Sequence, residues 1–169
     1  PAPGLRIDRG PFFLYSVCMS PHVYAHILVW NDRRYLADLF ASLQTQTYPN
    51  FTVRVLDNGS NDGTLPYIKE HHPHVIVGRN VRNLGFAPGH NQLIQFTLEH
   101  LPSDDEAYVL VMNADMILKD TVVEELVRAL QANPELGAVQ PKLYRAFGEH
   151  LGDEALEETT QSDIIDTTG

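Results

Sequence analysis

A single cysteine, Cys18, leaves this chain of 169 residues without an internal disulfide and fits a reducing compartment. Basic side chains are scarce as well: 12 Lys and Arg face 22 Asp and Glu, a formal net charge of −10. Such a field argues against a nucleic-acid backbone or an anionic membrane as the main partner. A phosphate-bearing ligand would need local amides or a metal to overcome it. Long apolar runs are missing too, since none approaches the roughly 20 residues that span a bilayer. The N-terminal stretch PFFLYSVCMS is too short for a secretory signal and has no small-residue cleavage site. Residues 1–20 are therefore expected to be a leader or vector-derived remnant, with Met19 as a candidate natural start, and 21–169 one domain. The expected location is cytoplasmic, or the inner face of a membrane reached through segments not encoded here. No repeat or low-complexity tract is present, and a hydrophobic content of 43% is enough for a core.

What is there alternates. The apolar run VYAHILVW from Val23 ends at Asn31 and Asp32, which read as caps for a following helix carrying Leu36, Leu39, Phe40 and Leu43 on one face. Tyr48-Pro49-Asn50 turns the chain into a second strand from Phe51. Thr64 is expected to cap a short helix over Leu65 to His71, stopped by Pro73, and Val75 to Val77 reads as a third strand. A helix through Leu93, Ile94, Thr97, Leu98 and Leu101 should run to Pro102. A fourth strand, Tyr108 to Met112, follows, then a helix capped by Asp120 with Val123, Leu126, Val127 and Leu130 on its apolar side. A short strand near Ala138 to Gln140 and an irregular acidic stretch from Gly148 to Glu158 complete the pattern. Four strand–helix alternations with short connections predict parallel strands and right-handed crossovers, hence a Rossmann-like three-layer α/β/α domain with a mostly parallel central sheet.

Parallel strands end on one edge, so Asn31-Asp32, Asp57-Asn58, Arg79-Asn80 and Asn113-Asp115 should face one crevice. The strongest of these is FTVRVLDNGSNDGT, where an apolar strand delivers Asp57 into a turn already supplied with glycines. Asp62 suits a turn role and a ligand role equally. In Asn113-Ala114-Asp115 the first and third side chains would share a side if strand geometry persists that far, letting Asp115 hold Mg2+ or Mn2+ with Asn113 beside it. Read alone, that tripeptide is a plain strand-end turn. Gly85 and Gly89, between Asn83 and Asn91, allow close backbone approach to a ligand or a helix start with free amides. GFAPG is not the dinucleotide fingerprint, which disfavours NAD. His90 reads as structural, and His71, His72 and His74 as a solvated turn rather than a metal cluster. No Ser-His-Asp arrangement is supported.

Taken together, VLDNGSNDGT, NVRNLGFAPGHNQ and VMNADMIL, with SLQTQTYPNF and ANPELGAVQPKLY around them, resemble the nucleotide-sugar-binding half of family-two glycosyltransferases of GT-A fold. The likeness covers about Val23 to Gly169 and is closest to the rhamnosyltransferase-like branch. It implies inverting transfer of a sugar from a UDP- or dTDP-sugar to an acceptor hydroxyl on a glycan or lipid-linked acceptor, assisted by Mg2+ or Mn2+. Val29, Asn31, Asp57 and Asn58 would line the nucleoside pocket. Asn83, Gly85, Phe86, Gly89 and Asn91 would lie beside sugar and diphosphate. Asp115 would match the last aspartate of the D-x-D metal motif, with Asn113 in its variable first place. The general base of such enzymes belongs to a later, acceptor-binding portion. Asp153, Glu154, Asp163 and Asp166 are carboxylates there but match no base motif, so the chain reads as a truncated donor-binding piece. A non-catalytic nucleotide-sugar-binding domain and a nucleotidyltransferase-like enzyme are the competing readings.

Overall fold

The computed structural model describes residues 20–101 and 106–144. Four strands form one parallel sheet: β1 (His22–Val29), β2 (Phe51–Asp57), β3 (Ile76–Arg79) and β4 (Ala107–Asn113), in the order β3-β2-β1-β4. Four helices connect or follow them: α1 (Leu36–Gln44), α2 (Thr64–His71), α3 (Phe86–Glu99) and α4 (Val122–Ala132). The architecture is the expected layered α/β fold with all described strands parallel.

Strand alternation divides β1 between two layers. Ala25, Ile27 and Val29 are buried with Leu36, Leu39, Phe40 and Leu43 of α1 and Ile68 of α2. Val23 packs with Val123 and Val127 of α4. The alternate residues His26 and Leu28 meet α3 on the opposite face. That helix lies over β1 and β2, and Val109 and Val111 of β4 stay exposed beside it.

The chain winds outward from β1 through β2 to β3, then crosses back by α3 to place β4 on the other side of β1. The reversal puts a topological switch between β1 and β4, whose carboxyl ends bound the crevice where ligands bind in open α/β sheets.

Several local expectations are corrected. The third strand starts at Ile76 and reaches Arg79, two residues beyond the expected end at Val77. Helix α3 ends at Glu99, before Leu101. Residues Ala138 to Gln140 form no strand, and no described strand pairs with the outer edge of β4. His72 is buried, stacked on Phe40 at 3.9 Å, because the chain turns back over α1 there, while His71 and His74 stay exposed. No helix among the described residues is long and apolar enough to cross a membrane. Residues 1–19 of the expected leader, 103–105 of the acidic loop, the acidic stretch from Gly148 to Glu158 and the carboxylates Asp163 and Asp166 lie outside the described residues.

Candidate functional site

The ends of β1 and β2 are laced together by their turns. Asn31 adopts a left-handed φ of 59°, which asparagine tolerates better than most residues. Its amide donates to Ser60 Oγ at 2.9 Å, and its Oδ1 accepts from the Asn61 amide at 2.9 Å. The next two amides continue the lacing: Asp32 N–H donates to Thr64 Oγ1 at 3.1 Å and Arg33 N–H to Asp62 Oδ2 at 3.0 Å.

These contacts overturn the capping roles read from sequence. Asp32 turns its carboxylate back to the Trp30 amide at 2.8 Å and makes no side-chain cap of the short 3₁₀ turn Arg33–Tyr35. Thr64 is the first residue of α2, and Asp62 accepts its amide at 3.0 Å. Asp120 caps nothing by its side chain, since Thr121 precedes α4. Asp62 thus holds the turn with both carboxylate oxygens. Burial works to raise its pKa, but the hydrogen bonds from Thr64 and Arg33 bring it below the usual value.

Asp57 is fully buried at the end of β2. Its Oδ1 accepts the Ser60 amide at 2.8 Å, and Oδ2 lies 3.4 Å from Arg79 Nε without a hydrogen-bond partner of its own. Arg79 also donates to the Ser60 carbonyl at 3.2 Å, and its side chain is 54% exposed. A buried acid with one unpartnered oxygen thus stands behind a half-exposed guanidinium, which can offer a donor to a polar ligand edge. A cavity of about 320 Å³ is bounded by Arg79, Asn80 and Val81.

Asn58 organises the neighbouring loop. Its amide donates to the Val29 carbonyl at 2.8 Å, tying β2 to β1. Its Oδ1 accepts from Asn80 Nδ2 at 3.0 Å and Leu84 N–H at 3.1 Å; its Nδ2 donates to Asn83 Oδ1 at 2.8 Å and the Gly85 carbonyl at 3.2 Å. Asn80 donates onward to Gln92 Oε1 at 2.8 Å. The loop is thereby fixed where it enters α3 at Gly85, whose φ of 93° a side chain would strain. No side chain caps this helix start, so the amides of Phe86 and Ala87 remain open to an anion. Phe86 is 59% exposed beside them.

Gly89 has a different reason to be glycine. A Cβ there would meet Leu28 Cδ1 at 2.5 Å, so the residue lets α3 press on β1. Asn91 is exposed and makes no hydrogen bond to the other site residues.

On the far side of the switch, Asn113 pairs in register with Leu28, and the strand ends there. Strand geometry does not reach Asp115, which sits in a turn, although exposure still alternates: Met112 and Ala114 are buried, Asn113 and Asp115 exposed. Burial raises the Asp32 pKa, and the negative charges of Asp115 and Asp62 raise it further. The carboxylates after β1, β2 and β4 therefore share one rim. Among the described residues, no group of three His, Cys, Asp or Glu could cage a metal. One carboxylate and one amide oxygen suit a hard divalent cation that takes its remaining ligands from phosphates and water.

Sequence reading missed a second layer of polar groups under α3. His26 is buried, its Nε2 2.7 Å from Thr97 Oγ1. Arg54, equally buried, donates from Nη1 to the same hydroxyl and lies over the Tyr24 ring at 4.1 Å. Thr97 accepts from Arg54 and has its own proton to give His26, whose Nδ1 is left unpartnered. Burial, then the charge of Arg54, lowers the His26 pKa to about 4. His90 is buried against Phe86, and among the described residues neither ring nitrogen has a partner. Arg79 and Asn80 were expected at the crevice without an assigned role, and Gln92 was missed. The charge of Arg79, two residues past the predicted strand end at Val77, was the available signal.

Residues 24–162 match the family model described as "Glycosyl transferase family 2". An "Uncharacterized glycosyltransferase" of Haemophilus influenzae is 28% identical over 122 residues, 70% of this chain and 36% of that protein. A poly-beta-1,6-N-acetyl-D-glucosamine synthase of Staphylococcus epidermidis is 26% identical over 141 residues, 79% of this chain and 32% of that protein. The chain thus spans about a third of the length of these curated relatives. Among solved structures, the mannosyltransferase PcManGT of Pyrobaculum calidifontis, in complex with GDP-Man and Mn2+, superposes with a TM-score of 0.58 at 22% identity, covering 76% of this chain and 37% of that one. S. aureus TarS 1-349 in complex with UDP-GlcNAc gives 0.55 at 18%, covering 73% and 38%. These likenesses agree with the GT-A fold. With most of its length matched to the family, the chain belongs to glycosyl transferase family 2.

Proposed function

We propose that this chain is the donor-binding part of an inverting glycosyltransferase that takes a UDP- or dTDP-sugar, with Mg2+ or Mn2+, and passes the sugar to a hydroxyl of a glycan or lipid-linked acceptor. One observation carries the reading: one sheet edge bears a polar corner at Asp57 and Arg79, at the ends of β2 and β3, and, beyond β1 at the β1/β4 switch, the cation-suited pair Asn113 and Asp115. The PcManGT complex with GDP-Man and Mn2+ and the TarS complex with UDP-GlcNAc support it as analogies.

In this reading Asp57 Oδ2 accepts the imide N–H of the pyrimidine, and Arg79 holds the acid in place. The open amides of Phe86 and Ala87 face the donor's anionic end. Asp115, with Asn113 beside it, holds the divalent cation, whose chemistry is to stabilise negative charge on the departing nucleoside diphosphate. Asn at position 113 brings less charge than a second aspartate, so the diphosphate must contribute more of the cation's hold. The base that deprotonates the acceptor is not among the described residues, and rhamnose-type donors fit the sequence resemblance best.

Calorimetry with UDP and dTDP, each with and without Mn2+, tests the reading. Binding that strengthens with Mn2+ and loses that dependence in Asp115→Ala is the expected result. Equal affinity with and without the metal in the wild-type chain would overturn the cation's role. No binding of either nucleotide would overturn the whole reading. Binding without any release of free sugar from UDP-sugars would favour a non-catalytic nucleotide-sugar-binding domain. Pyrophosphate release from a nucleoside triphosphate would favour a nucleotidyltransferase.

A further inference from the structure

The motif SLQTQTYPNF lies at the end of α1, away from every residue assigned above, yet one of its side chains reaches the segment that carries Asp115. Gln46 Nε2 donates to the Lys119 carbonyl at 2.8 Å and to the Ser42 carbonyl at 3.0 Å, while Oε1 accepts the Val123 amide at 3.2 Å. One side-chain amide therefore joins the end of α1 to both sides of the turn that starts α4. The next residue repeats the link: Thr47 N–H donates to the Asp120 carbonyl at 2.8 Å, and its hydroxyl to Glu124 Oε2 at 2.9 Å.

Between β4 and α4 the chain runs through residues 114–121 without regular structure. Its near end is fixed by the pairing of Asn113 with Leu28 and by buried Ala114. Met116 and Leu118 pack only partly against the core. The far end, Lys119 and Asp120, is held by Gln46 and Thr47. Among the described residues, no hydrogen bond or ion pair holds the Asp115 side chain itself. Its position is therefore set by its backbone, held at one end by a strand and at the other by the side chain of Gln46 and the amide of Thr47.

We propose that Gln46 is a positioning residue for the cation site: by fixing the far end of this segment it sets where Asp115 stands on the crevice rim. The inference rests on the functional reading above and deepens it. Gln46 touches neither donor nor cation, and its effect passes through the backbone of residues 115–119. Uridine has no phosphate, so its binding uses the Asp57 corner alone; UDP binding uses both corners. A loss of positioning must therefore separate the two ligands.

The test is calorimetry on the 169-residue chain with uridine, and with UDP over a Mn2+ titration, for wild type, Gln46→Ala and Gln46→Glu. Gln46→Glu keeps the acceptor for Val123 and the side-chain volume but cannot donate to Lys119, so it reports even if the alanine variant fails to fold. The expected result is that the Mn2+ concentration giving half-maximal UDP binding rises about tenfold in both variants. Uridine affinity should stay unchanged, and excess Mn2+ should restore UDP affinity. An unchanged Mn2+ midpoint in a folded variant overturns the proposal, as does a parallel loss of uridine binding. If wild-type chain binds UDP without regard to Mn2+, the functional reading fails first.

Discussion

Asp57 and Arg79 are register partners at the carboxyl ends of β2 and β3, with Oδ2 and Nε 3.4 Å apart and the acid fully buried. The acid's other oxygen is already bonded to Ser60, so Oδ2 is the atom left for a ligand. Asp57→Asn can keep an oxygen for Ser60 but removes the charge facing Arg79. Loss of one charge-assisted hydrogen bond, about 1.5–3 kcal/mol, should weaken UDP and uridine alike by roughly ten- to hundredfold. Calorimetry checks this, and equal affinity for uridine in the variant would remove Asp57 from the base pocket.

Asn58 belongs to stability before it belongs to binding. All four of its side-chain hydrogen bonds hold the 80–85 loop, and the residue is 1% exposed. Asn58→Ala removes these four hydrogen bonds, each worth about 1 kcal/mol net, so urea unfolding should show a loss of roughly 3–5 kcal/mol. A loss below 1 kcal/mol would mean that water replaces the side chain without penalty.

Much of this was legible because apolar runs and breakers decide where strands stop. Val23 to Val29, Phe51 to Asp57 and Ala107 to Asn113 are read almost to the residue, and parallel alternation alone puts their ends on one edge. What escaped depends on which chain passes over which. Asn31, Asp32 and Thr64 have the chemistry of caps, but where two turns cross, the side chains of Asn31 and Thr64 find partners about thirty residues away, and that of Asp32 turns back to Trp30. His26 and Arg54 lie in strands that are otherwise mostly apolar. Only the placement of α3 over that face shows that a threonine can serve both. Gln46 looks like a helix-end residue until Lys119 is seen beside it.

Gly89 tests the packing of α3 on β1. An alanine Cβ would lie 2.5 Å and 2.8 Å from the two Leu28 methyls, so Leu28 must leave its rotamer or the helix must lift. Overpacking costs about 1–3 kcal/mol, and alanine regains up to about 1 kcal/mol of helix propensity. A net loss of about 1–2 kcal/mol is expected in chemical unfolding of Gly89→Ala, recovered in part by Leu28→Val, which makes room. Failure of the second change to recover any stability would show that the helix is held elsewhere.

The His26 site sets a pH dependence whose sign can be worked out. Folded, its pKa is about 4; unfolded, it returns to its ordinary value of 6.5. The unfolded chain therefore binds the proton first, so stability is full above pH 6.5 and falls as pH drops toward 4. Over that window one such histidine can withdraw at most about 3 kcal/mol. The groups facing the ring are Arg54 on β2, which repels the added charge, and His90 on α3, which repels it when protonated. The pKa values of His90 and His72 are also lowered by burial, so all three contributions have the same sign. His26→Gln keeps a partner for Thr97 and carries no proton-binding ring. Urea unfolding of wild type between pH 7 and pH 5 should show a falling midpoint, and the variant a shallower fall over the same range. Parallel curves for the two chains would mean that His26 is protonated in the fold, and that Thr97 and the ring face of Tyr24 shield it from Arg54 more fully than their geometry implies.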